Sequence, residues 1–426
     1  MPENATVFRG SQWGVETTSG TVVAANRRLL CTDVNSTPAT RLAMYRPVGR
    51  KYPTTVVKGK EHTTANLTGV LCYNDLVYLL SGLMTTATIT TPTSATNTRN
   101  WQFLPSPTAP DSPKTFTIET GSSVEAERFA YGLVNGLSLH ITENPPIEIT
   151  GTMLGWTLTE GATLTSSPTV IAESPVDPDT VTFFVGNATT NEVQTVNLVG
   201  GTGNFTLTFT DPYGRSATTG TLSDASTGAT VQTALRLLSN IGGDNVSVSG
   251  PAGGPFVITF SGLFAGLNVP ILVFNIVTFT GGPATVVETT AGGMTALDRP
   301  LEFTLNFNER YTPEFTLKMA DPSFSAHVEK APTFDAQMIM QHDATASVAL
   351  MADLRARTTK YLQMVCVGPL IETGFYRMLT VRFPFKLQES TRADHTDVWS
   401  ATYHMVPIDD GTSITEVNIR NTLTAL

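Results

Sequence analysis

The histidines and carboxylates that could ligate a metal are few, and they lie in a sequence typical of a turn. Asp394, His395 and Asp397, together with His404, are of the types that hold zinc or a hard cation if strand pairing brings them together. The stretch from Asp394 to Asp397 lies between two strand-like runs, where exposed polar residues are expected. We therefore interpret it as a turn and predict no metal site.

The remaining candidate motifs for catalysis favour ordinary loops and turns. Glu125 and Glu127 could form the acid pair of a glycosidase, but they follow Gly-Ser-Ser and precede an arginine, as in a solvated loop. The segment 200–205 lacks the lysine and Ser/Thr of a phosphate-binding loop, and 10–14 displaces the serine of a nucleophile elbow. We predict that the protein is not an enzyme and has no cofactor.

Basic residues concentrate in one place, a loop in which Pro47, Gly49 and Pro53 prevent a continuing helix. One interpretation is a solvated charged turn. Another is an electrostatic contact with an acidic face of the next copy of the same protein. Binding of nucleic acid is a weaker third option, because only two tyrosines accompany these charges. The residues concerned are Arg46, Arg50, Lys51, Lys58 and Lys60.

Composition indicates a mainly β protein. The chain has 426 residues, of which 41% are hydrophobic, so it can bury two or three cores. Only 15% are charged, against about 25% in typical soluble domains, so Thr, Ser, Gly and Asn must cover much of the surface. The net charge of −10 argues against a surface that grips phosphates, but it permits DNA to pass nearby without binding.

Cysteine usage and the chain start indicate a product made in a cytoplasm. Cys31, Cys72 and Cys366 are few and far apart, so we predict three buried thiols and no disulfide. The first residues lack the basic and apolar regions of a secretory signal. The longest apolar run, 269–277, is far shorter than the roughly 20 residues that span a bilayer. We expect no membrane partner.

One order of strands and helix occurs twice in the chain, about 270 residues apart. The first copy predicts a strand over 58–72, a helix over 74–84 and strands over 131–142 and 147–157. The second predicts a strand over 328–340, a helix over 347–356 and strands over 361–367, 375–388 and 398–406. Two like units in one chain suggest a ring with half as many chains as units.

The segment 191–293 has a different composition and predicts an inserted module. It holds half of the chain's 34 glycines, and its Val/Phe/Thr alternation predicts short strands around a helix over 230–238. Strand-like runs end at 186 and begin at 301, so we place the module at a hairpin tip of its host, pointing outward. At the other end, 13–30 shows no single period and is interpreted as an extended arm with a short turn, of the kind that packs on a neighbouring subunit.

Several stretches outside the insertion resemble the major tail tube proteins of long, non-contractile bacteriophage tails. The similar stretches are 13–30, Lys60-Glu61 with 67–71 and the helix at Asp75, 129–139, 147–155, 357–362 and 418–426. The resemblance implies two tandem tail-tube domains, each a β-sandwich or barrel with a flanking α-helix, plus a small inserted β-rich, Ig-like domain. The expected divisions are 1–160, a first tube domain with its N-terminal arm; 161–190, connecting strands; 191–293, the inserted surface domain; and 294–426, a second tube domain.

The resemblance also implies partners and a location. Tandem tube domains would close a pseudo-hexameric ring from three chains, by pairing sheet edges, and the rings would stack into a tube. The expected partners are other copies of the chain, the tape measure protein, the tail terminator and distal tail proteins, and double-stranded DNA passing through the lumen without specific binding. The protein would be made in the host cytoplasm and located in the virion. The alternative is a surface adhesin or carbohydrate-binding protein that uses the inserted module.

Overall fold

The computed structural model describes residues 9–93, 95–122, 124–317, 323–331, 334–342, 344–395 and 397–426. Strands dominate this part of the chain, and the predicted mainly β class is confirmed. Before the inserted segment the strands are β1 (Gly10–Val15), β2 (Arg27–Leu29), β3 (Thr32–Tyr45), β4 (Thr55–Val70), β5 (Thr88–Thr90), β6 (Arg99–Phe103), β7 (Phe116–Gly121), β8 (Ala126–Thr142), β9 (Glu148–Gly155), β10 (Thr159–Ala162), β11 (Thr169–Val170) and β12 (Val181–Gly186).

The inserted segment and the second half of the chain continue this pattern. The strands of the insertion are β13 (Val193–Asn197), β14 (Asn204–Thr210), β15 (Ser216–Thr218), β16 (Leu222–Ser223), β17 (Val246–Ser249), β18 (Phe256–Phe260), β19 (Val273–Ile276) and β20 (Thr285–Thr290). They are followed by β21 (Met294–Ala296), β22 (Pro300–Phe307), β23 (Tyr311–Glu314), β24 (Ala326–Glu329), β25 (Phe334–Gln341), β26 (Lys360–Glu372), β27 (Phe375–His395), β28 (Val398–Pro407) and β29 (Glu416–Asn421). The described residues form three α-helices, α1 (Asp75–Leu83), α2 (Gly228–Arg236) and α3 (Ala344–Ala356).

Two units with the same strand order lie side by side and share one sheet. The first unit comprises β3, β4, α1, β8 and β9, with antiparallel pairing in the order β3-β4-β9-β8. The second unit comprises β22, β25, α3, β27 and β28, paired in the order β22-β25-β28-β27. Strand β8 of the first unit pairs with β22 of the second, which makes one front sheet of eight strands. The predicted double occurrence is confirmed at the level of these elements.

The two units also match residue by residue. A β-bulge leaves Asn135 of β8 without a partner in β9, and a bulge at the same place leaves Gln388 of β27 without a partner in β28. When residues are counted from these bulges, Met153 corresponds to Met405. Their partners on the next strand, Ala65 and Ala336, therefore occupy equivalent positions. The units therefore share one register, which the sequence pattern did not reveal.

A back layer covers each unit. Behind the first unit, β7 pairs with the N-terminal part of β8 and with β1, and β1 pairs with β2. Behind the second unit, β26 and β29 flank the N-terminal part of β27, β12 pairs with β26, and β6 pairs with β29. Trp101 and Phe103 of β6 are buried in this layer. Each unit is thus a two-layered β structure with a helix.

The N-terminal stretch was predicted to be an extended arm that packs on a neighbouring subunit, and this prediction is wrong. Residues 10–15 form β1, which is a strand between β2 and β7 of the same chain. Trp13 is fully buried there against Phe116, with ring centroids 5.1 Å apart. A tryptophan of this size gains more from burial in its own core than from an exposed arm.

The inserted segment builds its own sheets on a shared core. It emerges between β12 and β21, which pair antiparallel, so it stands at the tip of a hairpin. One sheet contains β13, β17, β18 and β20, and another contains β14, β15, β16 and β19. Their core is continuous with Phe184, Val365 and Met378 of the host. This shared core fixes the segment against the second unit.

The cysteine prediction is corrected in part. Cys31 and Cys72 form a disulfide, and Cys366 is a buried free thiol as predicted. The register of β3 and β4 brings the first two together, because Thr32 lies opposite Gly69 and the Val70 amide donates to the Cys31 carbonyl. Sequence separation alone did not show this proximity. No helix in the described part of the chain is long and apolar enough to cross a membrane.

Candidate functional site

The junction between β8 and β22 is the place where one unit contacts the next. Six residue pairs join the strands, from Leu137 opposite Phe307 to Thr142 opposite Glu302. Polar side chains also meet across it: the Ser138 hydroxyl donates to Asn306 Oδ1 at 2.6 Å. This junction is a sheet-edge contact between two like units, made within a single chain.

The outer edges of the same sheet have no strand partner within the described residues. Strand β3 pairs with β4 alone, and the part of β27 after Phe385 pairs with β28 alone. By the correspondence of the units, β3 is the counterpart of β22 and β27 is the counterpart of β8. The two unpaired edges are therefore the same two surfaces that join at the internal junction. A side-chain contact reaches β3 from Arg9, whose Nη2 donates to the Val34 carbonyl at 2.8 Å.

The face of the front sheet that points away from the core is polar. Along β22, buried Phe303, Leu305 and Phe307 alternate with Glu302, Thr304 and Asn306, and the neighbouring strands alternate in the same way. We call the outward-facing residues of these strands, from the level of the two bulges to the ends of the strands, the open face. Its carboxylates are Asp33, Glu148, Glu302, Asp335 and Glu389, and its other polar residues include Asn35, Thr37, Asn66, Thr68, Ser138, His140, Thr150, Thr152, Gln337, Thr391 and His404.

The charge of the open face is one-sided. None of its described strand positions carries lysine or arginine, although Arg9 from the preceding segment lies 4.0 Å from Asp33. Glu302 lies between two histidines, 3.7 Å from His140 Nδ1 and 4.0 Å from His395 Nε2. A surface of carboxylates and neutral polar groups repels a polyanion instead of binding it.

The basic loop lies at the end of a long hairpin. Strands β3 and β4 extend beyond the sheet, and we call the projecting residues 41–58 the first arm. Arg46, Arg50 and Lys51 are exposed at its tip, and Lys58 is exposed on its return strand, 2.6 Å from Glu61. Lys60 is half-buried at its root. The structure thus gathers the five predicted residues on one hairpin.

The first arm also exposes apolar side chains, which the sequence interpretation overlooked. Leu42, Met44, Tyr45, Val48, Tyr52, Val56 and Val57 are each more than half exposed, from 56% to 102%. Exposed apolar clusters of this kind mark surfaces that contact another protein. The strand-like alternation of 40–45 and 55–57 was the available signal.

The second unit carries a matching hairpin whose root is buried. Residues 310–317 and 323–329 include β23 and β24, and we call this hairpin the second arm. Arg310 is 2% exposed; it pairs with Asp111 and with Glu329, the latter at 3.0 Å. Desolvation raises the pKa of Asp111 above its ordinary value, although the Arg310 guanidinium opposes this shift. This buried ion pair, absent from the sequence analysis, anchors the second arm on the first unit.

The other candidate motifs occupy ordinary places. Asp394 and His395 end β27 next to its turn, and no group of three or more possible metal ligands occurs among the described residues. Glu127 accepts a hydrogen bond from the Ser36 hydroxyl at 2.6 Å, and Glu125 is exposed. Gly200 has a φ of 67° in the turn between β13 and β14, a conformation that favours glycine.

Models of known protein families give no match to the chain, and no curated protein is significantly similar to it. The arrangement of edges, open face and arm is therefore the basis on which a function can be argued. That arrangement offers chain-to-chain contact surfaces and an acidic, neutral-polar wall.

Proposed function

We propose that this protein is a structural subunit that closes into rings, which stack into the tail tube of a long, non-contractile bacteriophage tail. The observation that carries the proposal is the internal junction of β8 with β22. The same contact can form between β27 of one chain and β3 of the next, because both unpaired edges are counterparts of the paired ones. Repetition of this contact around an axis closes a ring without leaving a free edge.

The correspondence of the units fixes the register of the proposed contact. Ser138 corresponds to Thr391 and Asn306 to Thr37, so Thr391 should lie opposite Thr37 of the neighbouring chain. Both threonines are exposed in the single chain. Six units are expected in a ring by the resemblance to tail tubes, and each chain supplies two. The ring is thus a trimer of chains with pseudo-hexameric symmetry.

In such a ring the open face lines the lumen. Its carboxylates would share the sign of the DNA backbone, so the genome would slide through without being held. The tape measure protein would occupy this lumen before ejection, and the tail terminator and distal tail proteins would cap the tube. The inserted segment, fixed to the back of the second unit, would decorate the outside of the virion. Its shared core argues for a fixed decoration over a tethered adhesin head.

Electron microscopy of the purified protein at neutral pH, combined with native mass spectrometry, tests the proposal. Hollow rings or tubes of uniform width, with three chains in an isolated ring, are the expected result. A ring of six chains would contradict the pseudo-hexameric arrangement. A protein that stays monomeric even when concentrated with its tail terminator would contradict the tube function itself.

A further inference from the structure

The two arms are the same hairpin in the same register. Leu42 lies opposite Lys58 in the first arm, and Tyr311 lies opposite Glu329 in the second. Counted from the equivalent sheet positions, these two pairs coincide, and the next pairs along each arm coincide as well. The arms differ in their surroundings, because Leu42 is 57% exposed and Tyr311 is 1% exposed.

The root of the second arm, Arg310 and Tyr311, is buried because it docks on the first unit. The Arg310 amide donates to the Asn135 carbonyl at 2.8 Å, and the Tyr311 amide donates to Asn135 Oδ1 at 2.6 Å. The Tyr311 ring packs with Leu133 and Leu154, and its hydroxyl donates to the carbonyl of Leu83 at 2.9 Å. The bulge at Asn135 therefore provides the groups that hold the arm.

The second arm also reaches the root of the first. The Phe315 ring lies 4.5 Å from the Arg41 guanidinium and 5.5 Å from the His62 ring. Further along, the Tyr131 hydroxyl lies 3.0 Å from His327 Nδ1, and the Tyr131 ring meets Phe324 edge to face. The described part of the second arm thus crosses the first unit and reaches residues at the root of the first arm.

The second unit presents the same docking surface without an arm on it. Leu133, Asn135 and Leu154 of the first unit are at most 8% exposed. Their counterparts in the second unit are Lys386, Gln388 and Val406, which are all exposed, Val406 by 37%. The counterpart of the docked Tyr311, Leu42, is also exposed. Leu42, the counterpart of the docked Tyr311, and the surface formed by Lys386, Gln388 and Val406 therefore both remain uncovered, one near each end of the chain.

We propose that the first arm of one chain docks on the second unit of the neighbouring chain in the same ring, at Lys386, Gln388 and Val406. This inference rests on the proposed ring. Leu42 takes the place of Tyr311, and the amides of Arg41 and Leu42 donate to Gln388 as those of Arg310 and Tyr311 donate to Asn135. The occupant is a second copy of this chain, since the template for the contact is internal. The basic tip at 46–54 extends beyond the docked root and stays available for the contact between stacked rings.

Leu42→Lys tests the docking, because the added charge is repelled by Lys386, with Leu237→Lys as the matched control. Leu237 is 69% exposed on the inserted segment, away from both arms. The Leu42 variant should raise the concentration for half-assembly at least about tenfold, because a buried leucine is replaced by a charge. The control should assemble like the wild type. Wild-type rings together with unchanged assembly of the Leu42 variant would overturn the docking but leave the ring intact. Wild-type chains that form no rings would overturn both.

A double variant, Leu42→Cys with Val406→Cys, locates the contact independently of its strength. Mild oxidation of the assembled protein should link chains through these cysteines, and the linked species should end at three chains. A ladder that continues beyond three chains would place the arm between stacked rings and overturn docking within the ring. Rings without any cross-link would also overturn it.

Discussion

The two arms are equivalent hairpins, but only the second is docked on a neighbouring unit. The second arm packs on the first unit of its own chain through Tyr311 and the Arg310 ion pair. The first arm has the same register but leaves Leu42 and Met44 exposed. The difference does not arise from the hairpins, since only the second arm has a neighbouring unit in the chain. The covalent link between the units thus brings one arm onto its docking surface, and in the proposed ring a neighbouring chain brings the other.

The largest effect that would sharpen this comparison is expected at the arginines of the two arms. Arg310→Ala should lower the free energy of unfolding by about 3–5 kcal/mol, because it leaves the buried Asp111 carboxylate without its partner. Arg41→Ala, at the matching position, should cost about 1 kcal/mol or less, because only its contact with the Phe315 ring is lost. Denaturant titrations of both variants measure the difference. Equal effects would show that the second arm is not anchored as described.

The disulfide is the second difference between the units. Cys31 and Cys72 connect the start of β3 to the residues just before α1. In the second unit Arg299 occupies the position of Cys31, because its carbonyl accepts from the Gln341 amide as that of Cys31 accepts from the Val70 amide. Replacing both cysteines with serine should lower the free energy of unfolding by about 2–4 kcal/mol. Reduction of the wild type should shift the denaturation midpoint by the same amount. If neither treatment moves the midpoint, the bond does not stabilise the first unit.

A third difference lies in the helices, because every residue of α1 is buried while α3 is partly exposed. Burial raises the pKa of Asp75, in the first turn of α1, to about 6 from an ordinary 3.8, although the Cys31 amide and Thr32 hydroxyl donate to it. The folded state therefore keeps this proton at pH values where the unfolded state has lost it. The stabilisation that Asp75 contributes is complete below about pH 4. It declines by about 3 kcal/mol in all as the pH rises to about 6, and the free energy of unfolding does not change further above that pH through this group.

Comparison of Asp75→Asn with the wild type isolates this contribution. The stability difference between the two proteins should change between pH 4 and pH 6 and stay level above pH 6. The asparagine can still accept from the Cys31 amide, so the fold should persist. A difference that is independent of pH would show that Asp75 does not hold a proton in the folded state.

The smallest effect on stability is expected at the open face, to which both units contribute. Glu148→Gln with Glu389→Gln should change the free energy of unfolding by less than about 0.5 kcal/mol, since both side chains are exposed. In a phage carrying this variant, genome ejection should be slower although tubes assemble. Glu173→Gln with Glu288→Gln removes the same charge from exposed positions off the face and serves as control. Equal ejection rates in all three phages would count against a repelling lumen.

Local sequence patterns predicted much of the fold. The apolar run at 74–84 gave α1 almost to the residue, and the alternation of Leu301 to Phe307 gave β22. The predicted strand over 328–340 was wrong in part, because it divides into β24 and β25 where the second arm meets the sheet. Periodicity cannot show such a division, since the two strands belong to different sheets.

The contact surfaces depended on registers that no local pattern contains. The bulges at Asn135 and Gln388 are set by pairing with β9 and β28 across a hairpin turn, and the residue pattern of a single strand does not show them. The disulfide and the Arg310 ion pair likewise require residues far apart in the chain. The basic residues of the first arm were found because their charge is visible in one short segment. The apolar residues beside them were missed because exposure cannot be read from composition.

Cross-linking at the proposed ring contact tests the central claim most directly. In the variant Thr37→Cys with Thr391→Cys, oxidation of the assembled protein should join β3 of one chain to β27 of the next and give linked species ending at a closed trimer. The control Ser138→Cys with Asn306→Cys should form its bond within one chain, because these side chains already meet across β8 and β22. If the control bond forms in assembled protein while Thr37→Cys with Thr391→Cys stays unlinked, the outer edges do not repeat the internal junction, and the account is contradicted.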